Sequence, residues 1–259
     1  GERGQGRERG ARWCTTPPGP SPLLPPTVPT RHLNPSNSAT TMLSALLALP
    51  AWNPGHDACP TVTTVGSADF SLAEWVRKSW FIQEQQVLDF QPVTSNYCVA
   101  ATYNLEGKTV PFFKGKVATV YNYANNDQVN GPLTNAKNMT LCARAVNTTD
   151  SSRLAVAPCL LPNILAGPYW ILGIGKAADG SYDWAVVIGG QPDVKWEDGC
   201  TTKESGVNNA GLWLFSRKPV ASPEAIGKMH ALLKAKGIAR SRLHKVEQEG
   251  CTYHGFNMK

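Results

Sequence analysis

The chain has 259 residues, 42% hydrophobic and 17% charged, which is enough apolar material for one sizeable core or two small ones. Its formal net charge is +6. Half of that lies in residues 1–41, where five arginines face only Glu2 and Glu8, so the rest of the chain is mildly basic and a nucleic-acid partner is disfavoured.

Residues 1–41 also hold eight of the 20 prolines and show almost no apolar periodicity, which predicts a disordered Pro/Arg-rich leader. The segment does not begin with Met. It reads either as upstream leader sequence or as an Arg-rich, acid-poor organelle transit peptide. Residues 42–58 open with MLSALLALPAW, an apolar run too short to span a bilayer that ends in small residues and proline, as the core of a signal peptide does. They are expected to form a short targeting segment and linker; a buried N-terminal helix is the other reading. Residues 59–259 are the expected folded domain.

From Cys59 onward the pattern is that of strands. Eight runs follow one another: SWFIQEQQVLDF from Ser79, YCVAATYNL from Tyr97, KVATVYNYA from Lys116, MTLCARAV from Met139, RLAVAPCL from Arg153, PYWILGIG from Pro168, YDWAVVIGG from Tyr182 and GLWLFSR from Gly211. They are rich in Val, Tyr, Trp and Thr and are separated by turn material such as NLEGK, NNDQVNG, NTTDSS and AADG. Short, evenly spaced strands without intervening helices indicate an antiparallel meander, and eight is the number at which a barrel closes around one small ligand. A helix is predicted next. Ser222 is placed to cap it, Pro223 to fill its first turn and Gly237 to end it, with Ile226, Met229 and Leu233 as an apolar stripe for the barrel wall. The fold class is therefore all-β, an up-and-down antiparallel barrel with one C-terminal helix.

Of seven cysteines, six fall in the domain, at 59, 98, 142, 159, 200 and 251, an even set that suggests disulfides. There is no C-x-x-C motif and no histidine between Cys59 and Pro219, so a Cys/His zinc site lacks ligands, and neither a metal nor a cofactor is expected. Asn138 and Asn147 head glycosylation sequons. Gly173-Ile174-Gly175-Lys176-Ala177-Ala178 matches a dinucleotide-binding glycine pattern, but a turn and a strand follow it where a helix is required. Gly107-Lys108-Thr109 lacks the upstream glycine of a phosphate loop, and the carboxylates from Asp179 to Asp198 read as solvated loop charges.

SWFIQEQQ, YCVAATYNLEGK, PYWILGIG with YDWAVV, and GLWLFSRKP, followed by a helix and then Cys251, resemble the lipocalin family. The likeness is to the group that includes apolipoprotein D, the bacterial outer-membrane lipocalin and the plant temperature-induced and chloroplastic lipocalins. It covers residues 59–259 in consistent order. One departure is visible: the family's Gly-x-Trp signature reads Lys78-Ser79-Trp80 here. The resemblance implies that Trp80 closes one end of the barrel with Arg217 lying across its indole, a structural pair. It also implies Tyr103, Asn122 and Trp213 as ligand-contacting residues of the cavity. Among Tyr169, Trp170, Tyr182, Trp184 and Trp213, strand alternation sends roughly half inward.

The same resemblance pairs Cys59 with Cys200 and Cys98 with Cys251. Cys142 and Cys159 remain; they lie at similar offsets from the NTTDSS turn, and a third bridge between them requires a register that sets them opposite each other. The implied function is non-catalytic binding, transport or storage of a small hydrophobic ligand, such as a fatty acid, sterol, retinoid, carotenoid or other pigment. A lipid- or xanthophyll-modifying enzyme on the same barrel is the alternative, and a free barrel thiol would favour it. Expected partners are that ligand and, peripherally, a membrane surface. Paired cysteines place maturation in an oxidising space, the secretory route or the thylakoid lumen.

Overall fold

The computed structural model describes residues 58–134 and 140–259. The expected leader (1–41), the apolar segment (42–58, but for its last residue) and Asn138 lie outside them.

Eight strands make the barrel wall: β1 (Trp80–Gln86), β2 (Tyr97–Asn104), β3 (Val117–Asn125), β4 (Leu141–Arg144), β5 (Arg153–Pro158), β6 (Gly167–Lys176), β7 (Tyr182–Ile188) and, after a long loop, β10 (Leu212–Ser216). That loop carries a small hairpin of its own, β8 (Val194–Trp196) and β9 (Gly199–Thr201). Each wall strand pairs antiparallel with its sequence neighbour, and β10 pairs back onto β1, which closes the barrel. The expected fold class is the observed one, with all eight runs appearing as strands.

Inward and outward faces alternate as a strand period of two requires. On β3, Ala118 and Val120 join the interior cluster while Tyr123 joins an outer one. On β7 and β10, Ala185, Val187 and Phe215 face in, and Val186, Ile188, Leu212 and Leu214 face out. Helix α3 (Pro223–Ala235) lies over that outer face with Met229 and Leu233 fully buried. Its ends follow the local chemistry: Ser222 accepts a hydrogen bond from Ala225 N at 3.2 Å, and Gly237, at φ 64°, reverses the chain. Ile226 is only half-buried, and Ala225 is the third buried helix residue.

Two features have no strong pattern in the sequence. Two four-residue helices, α1 (Gly66–Asp69) and α2 (Leu72–Trp75), precede β1. Beyond α3, a short strand β11 (Leu243–Lys245) pairs with Glu84–Gln86 of β1. There β1 and β2 have parted: only Trp80 and Phe81 pair with β2. The gap is filled by residues 243–248, with Val246 N donating to Gln83 O (2.9 Å), Glu247 N to Asn96 O (2.9 Å) and Cys98 N to Glu247 O (2.8 Å). Gln248 spans the fork, its Nε2 donating to Ile82 O and Val99 O, each at 2.7 Å.

Three disulfides tie the fold together. Cys59–Cys200 anchors the segment before α1 to β9, and Cys98–Cys251 fastens the C-terminal segment to β2. Cys142–Cys159 joins β4 to the residue after β5, with a Cα separation of 4.9 Å. Its geometry differs from an opposed pair: Cys142 faces Ala157, and Cys159 N bonds Thr140 O, so the bridge is diagonal. Cys159 is the first residue of the turn that follows β5.

Candidate functional site

At one end the barrel is sealed from within. Ser71 caps α2 by accepting from Glu74 N, and the helix delivers Trp75, fully buried, into the barrel. Trp75 packs against Trp80 (ring centroids 4.6 Å apart), Tyr103 (5.8 Å), Phe215 (6.0 Å) and Tyr169 (6.4 Å). Arg217, just past β10, holds its guanidinium carbon 3.6 Å from the centre of the Trp80 ring. It donates to the carbonyls of Glu74 (2.8 Å), Trp75 (3.0 Å) and Ser79 (3.2 Å), and to that of Lys78. Glu74 O also accepts from Arg77 N and Trp75 O from Trp80 Nε1, so the guanidinium adds a cationic donor at the C-terminus of α2.

Above this floor stands a hydroxyl pair. The oxygens of Tyr103 and Tyr169 are 2.7 Å apart, both side chains buried. Burial pushes both phenols well above their ordinary range, so both stay protonated. Two O–H donors sharing one hydrogen bond leave one hydrogen free to donate.

Toward the other end the inward positions open. Asn122 is on the inward face of β3, in step with Ala118 and Val120, yet it is exposed; Ala124, Leu141, Val156 and Trp213 pack on the interior cluster while only half-buried. Trp213 stacks on Tyr169 at 6.4 Å and donates its Nε1 to Gln91 at 3.0 Å. Beside it, in register across β1 and β10, is Gln85. A bulge between Ile82 and Glu84 turns Gln85 inward and Glu84 outward to His230 on α3. Gln85 Nε2 donates to Asn96 Oδ1 at 2.7 Å, while Gln85 Oε1 and Asn96 Nδ2 are buried without partners. Exchanging O and N of both amides would leave one donor and one acceptor unpaired just the same.

The structure thus brings Tyr103, Asn122 and Trp213 onto the inward face, with Tyr103 at the floor and the other two nearer the mouth. Tyr169 is inward and Trp170 and Trp184 are outward, beside α3. Asn147 sits in the turn after β4, its Oδ1 accepting from Thr149 and Asp150. Sequence reasoning missed Trp75, Gln85 and Asn96. No Asp, Glu, Lys or Arg occupies an inward strand position from mid-barrel to the mouth, and no metal-binding cluster of His, Cys, Asp or Glu is found among the described residues.

No family model matches the chain, and no curated protein matches it in sequence. Solved structures of similar shape include lobster apocrustacyanin A1 (14% identity over 74% of this chain and 91% of that one, TM-score 0.47). Insecticyanin from the tobacco hornworm Manduca sexta is also similar (16%, 73% and 85%, TM-score 0.42). So is the amine-binding protein of Rhodnius prolixus, solved as its tryptamine complex (16%, 76% and 91%, TM-score 0.45).

Proposed function

We propose that this chain is a lipocalin of the apolipoprotein D-like group that carries or stores a small, uncharged hydrophobic molecule in the barrel. One observation carries the reading: Asn122 faces inward and is exposed, so solvent reaches the inner face of the barrel above its packed apolar floor. An apolar cup with a few orienting polar groups gains affinity by taking a ligand's surface out of water. Both long-range disulfides match the pairing that the resemblance implies, which supports the group.

The polar groups on offer are neutral: the Tyr103–Tyr169 hydroxyls, the Gln85–Asn96 amides, Asn122 and the Trp213 indole. An ionised fatty acid or an ammonium would lose its hydration without an opposite charge in return. Sterols, retinols and xanthophylls, whose hydroxyls can bond these groups, fit better. An enzyme using a barrel thiol is the weaker reading, because every cysteine among the described residues is in a disulfide. Those disulfides also support maturation in an oxidising compartment.

The test is solvent extraction of the natively purified protein with mass spectrometry of what is released, together with competition between retinol and retinoate. Release of a neutral lipid or pigment, and preference for retinol, are expected. Preference for retinoate, or failure of every hydrophobic probe to bind, would overturn the proposal.

A further inference from the structure

We propose that the protein has a second binding site, outside the barrel, which takes a small aromatic anion such as an aryl sulfate or sulfonate. The site is a cleft of about 680 Å³ between α2 and the loop that joins β2 to β3. That volume lies in the range of small-molecule sites. Because α2 also supplies Trp75 to the packed floor, the cleft belongs to the closed end of the barrel and is no part of the cup.

Its apolar lining comes from Leu72 and Ala73 of α2 and from Leu105, Phe113 and Val117. The Phe113 ring lies against the chain at Gly115, where an added Cβ would overlap it, so only glycine lets the ring come this close. The loop is held in place from behind. Phe113 N donates to Val110 O at 3.1 Å, and both side chains pack on Val117 and the Cys142–Cys159 bridge. Lys116 O accepts from Ala145 N at 3.0 Å, which fixes the end of the loop beside β4. A wall built before the ligand arrives costs little ordering on binding.

Three lysines, Lys108, Lys114 and Lys116, border the same cleft. None is paired with a carboxylate among the described residues. Glu106, the only acid between Leu105 and Lys116, is drawn to the outer face of β3, where its Oε2 accepts from Thr119 Oγ1 at 3.0 Å and from Tyr121 OH at 3.1 Å. On α2, Glu74 is taken by Arg77 at 2.7 Å. The cleft is therefore a hollow of positive potential with an apolar lining. A bare inorganic anion would leave that lining in water, and a neutral hydrocarbon would leave the ammonium groups without a counter-charge. A ligand with an anionic group on an apolar body answers both, and the Phe113 ring favours an aromatic one.

Titration of the isotope-labelled full chain with naphthalenesulfonate, followed by heteronuclear NMR at low salt, tests this. Shifts are expected at the amides of Ala73, Gly107 and Gly115, and none at the Trp213 indole N–H, which reports the barrel interior. Inorganic sulfate, which lacks the apolar body, and naphthol, which lacks the full charge, should each bind about tenfold more weakly. Added salt should weaken the sulfonate and leave naphthol unchanged. Lys108→Gln with Lys114→Gln should bring the sulfonate down to the level of naphthol, and Lys108→Arg with Lys114→Arg, which keeps the charge, should bind it about as the wild type does. Unchanged melting temperatures would show that both pairs leave the fold intact. The proposal falls if millimolar naphthalenesulfonate leaves the three amides unmoved, or if the Trp213 indole shifts in their place, which would put the probe in the cup. It falls equally if the glutamine variant or naphthol matches the wild-type binding of the sulfonate, since the lysines would then select no anion.

Discussion

Arg217 holds its guanidinium carbon over the indole of Trp80, 3.6 Å from its centre, and donates to four backbone carbonyls around it. Arg217→Ala removes the cation–π contact and four hydrogen bonds to backbone carbonyls, of which Glu74 O and Trp75 O keep donors in Arg77 N and Trp80 Nε1, an expected loss of about 3 kcal/mol. For a domain of this size that is roughly 10 °C in melting temperature. Lys at this position should recover only part, since it lacks the planar fork of donors. Ligand preference should not change, because the residue lies outside the floor. Thermal unfolding with competition binding checks both; altered preference at unchanged stability would contradict the assignment.

Asp150 binds the segment before α1 to the closed end. Its carboxylate accepts from Thr64 and from the hydroxyl and backbone N–H of Ser152, while Ser152 Oγ accepts from Gly66 N at 3.1 Å. Burial alone would raise its pKa, but the Ser152 and Thr64 bonds and nearby Arg153 outweigh it and hold the carboxyl below its ordinary 3.8. A carboxyl lowered on folding contributes stability that is fully present above its unfolded pKa and lost as pH falls through the folded one. Asp150→Asn should therefore cost about 1–2 kcal/mol at neutral pH, and the gap to wild type should close as pH falls below 3.8. Thermal melts from pH 7 to 2 would show it; a gap independent of pH would refute it.

The barrel was legible because its strands alternate and its turns are rich in Gly, Asn and Asp, so both period and punctuation are local signals. Trp75 was not legible. It sits in a helix of four residues, too short to show a period, and its burial depends on a barrel built from later chain. The β8–β9 hairpin, VKWEDGCT, has no alternation of its own, and β11 exists only because β1 and β2 part. Gln85 could have been misassigned to the outer face by strict counting from Trp80. The bulge near Gln83 shifts the phase, and the bonds made there, Gln83 Nε2 donating to Pro219 O and Oε1 accepting from Ala221 N, reach residues distant in sequence. Trp213 and Tyr169 show another case: alternation sends about half of the strand aromatics inward without choosing which, and only the resemblance singled out Trp213.

Trp213 and Tyr169 form one stacked wall, and replacing each should affect ligands differently. Trp213→Ala removes a large inward surface, with an expected affinity loss of about tenfold or more for any hydrophobic ligand. Tyr169→Phe keeps the surface but removes one hydroxyl of the pair. Retinol binding should weaken by several-fold, roughly one hydrogen bond, while a hydrocarbon probe of similar size binds as before. Fluorescence titration of the two variants separates these effects. Unchanged affinity in folded Trp213→Ala would place that residue outside the pocket.

Gln248 and the Cys98–Cys251 bridge hold the same segment by different means, which makes their coupling measurable. Gln248 Nε2 satisfies the carbonyls of Ile82 and Val99 where β1 and β2 fork, and its Oε1 accepts from Tyr253 at 2.6 Å. Gln248→Leu keeps the volume and strips these bonds, leaving buried groups unpaired at a cost of about 2–4 kcal/mol. The disulfide spans 153 residues, and the chain-entropy account gives such a loop about 4–5 kcal/mol before strain. In the absence of the bridge, residues 243–253 dock only through their own contacts and part of the population detaches, so Gln248→Leu should then cost less. A double-mutant cycle with Cys98→Ser and Cys251→Ser is expected to be sub-additive by about 1 kcal/mol or more. The Cys142–Cys159 bridge spans 17 residues on another part of the barrel, is worth about 3 kcal/mol by the same account, and should add independently with Gln248. Denaturant unfolding of the single and combined variants gives all of these terms. Strict additivity between Gln248 and Cys98–Cys251 would show that the wedge stays seated without its disulfide.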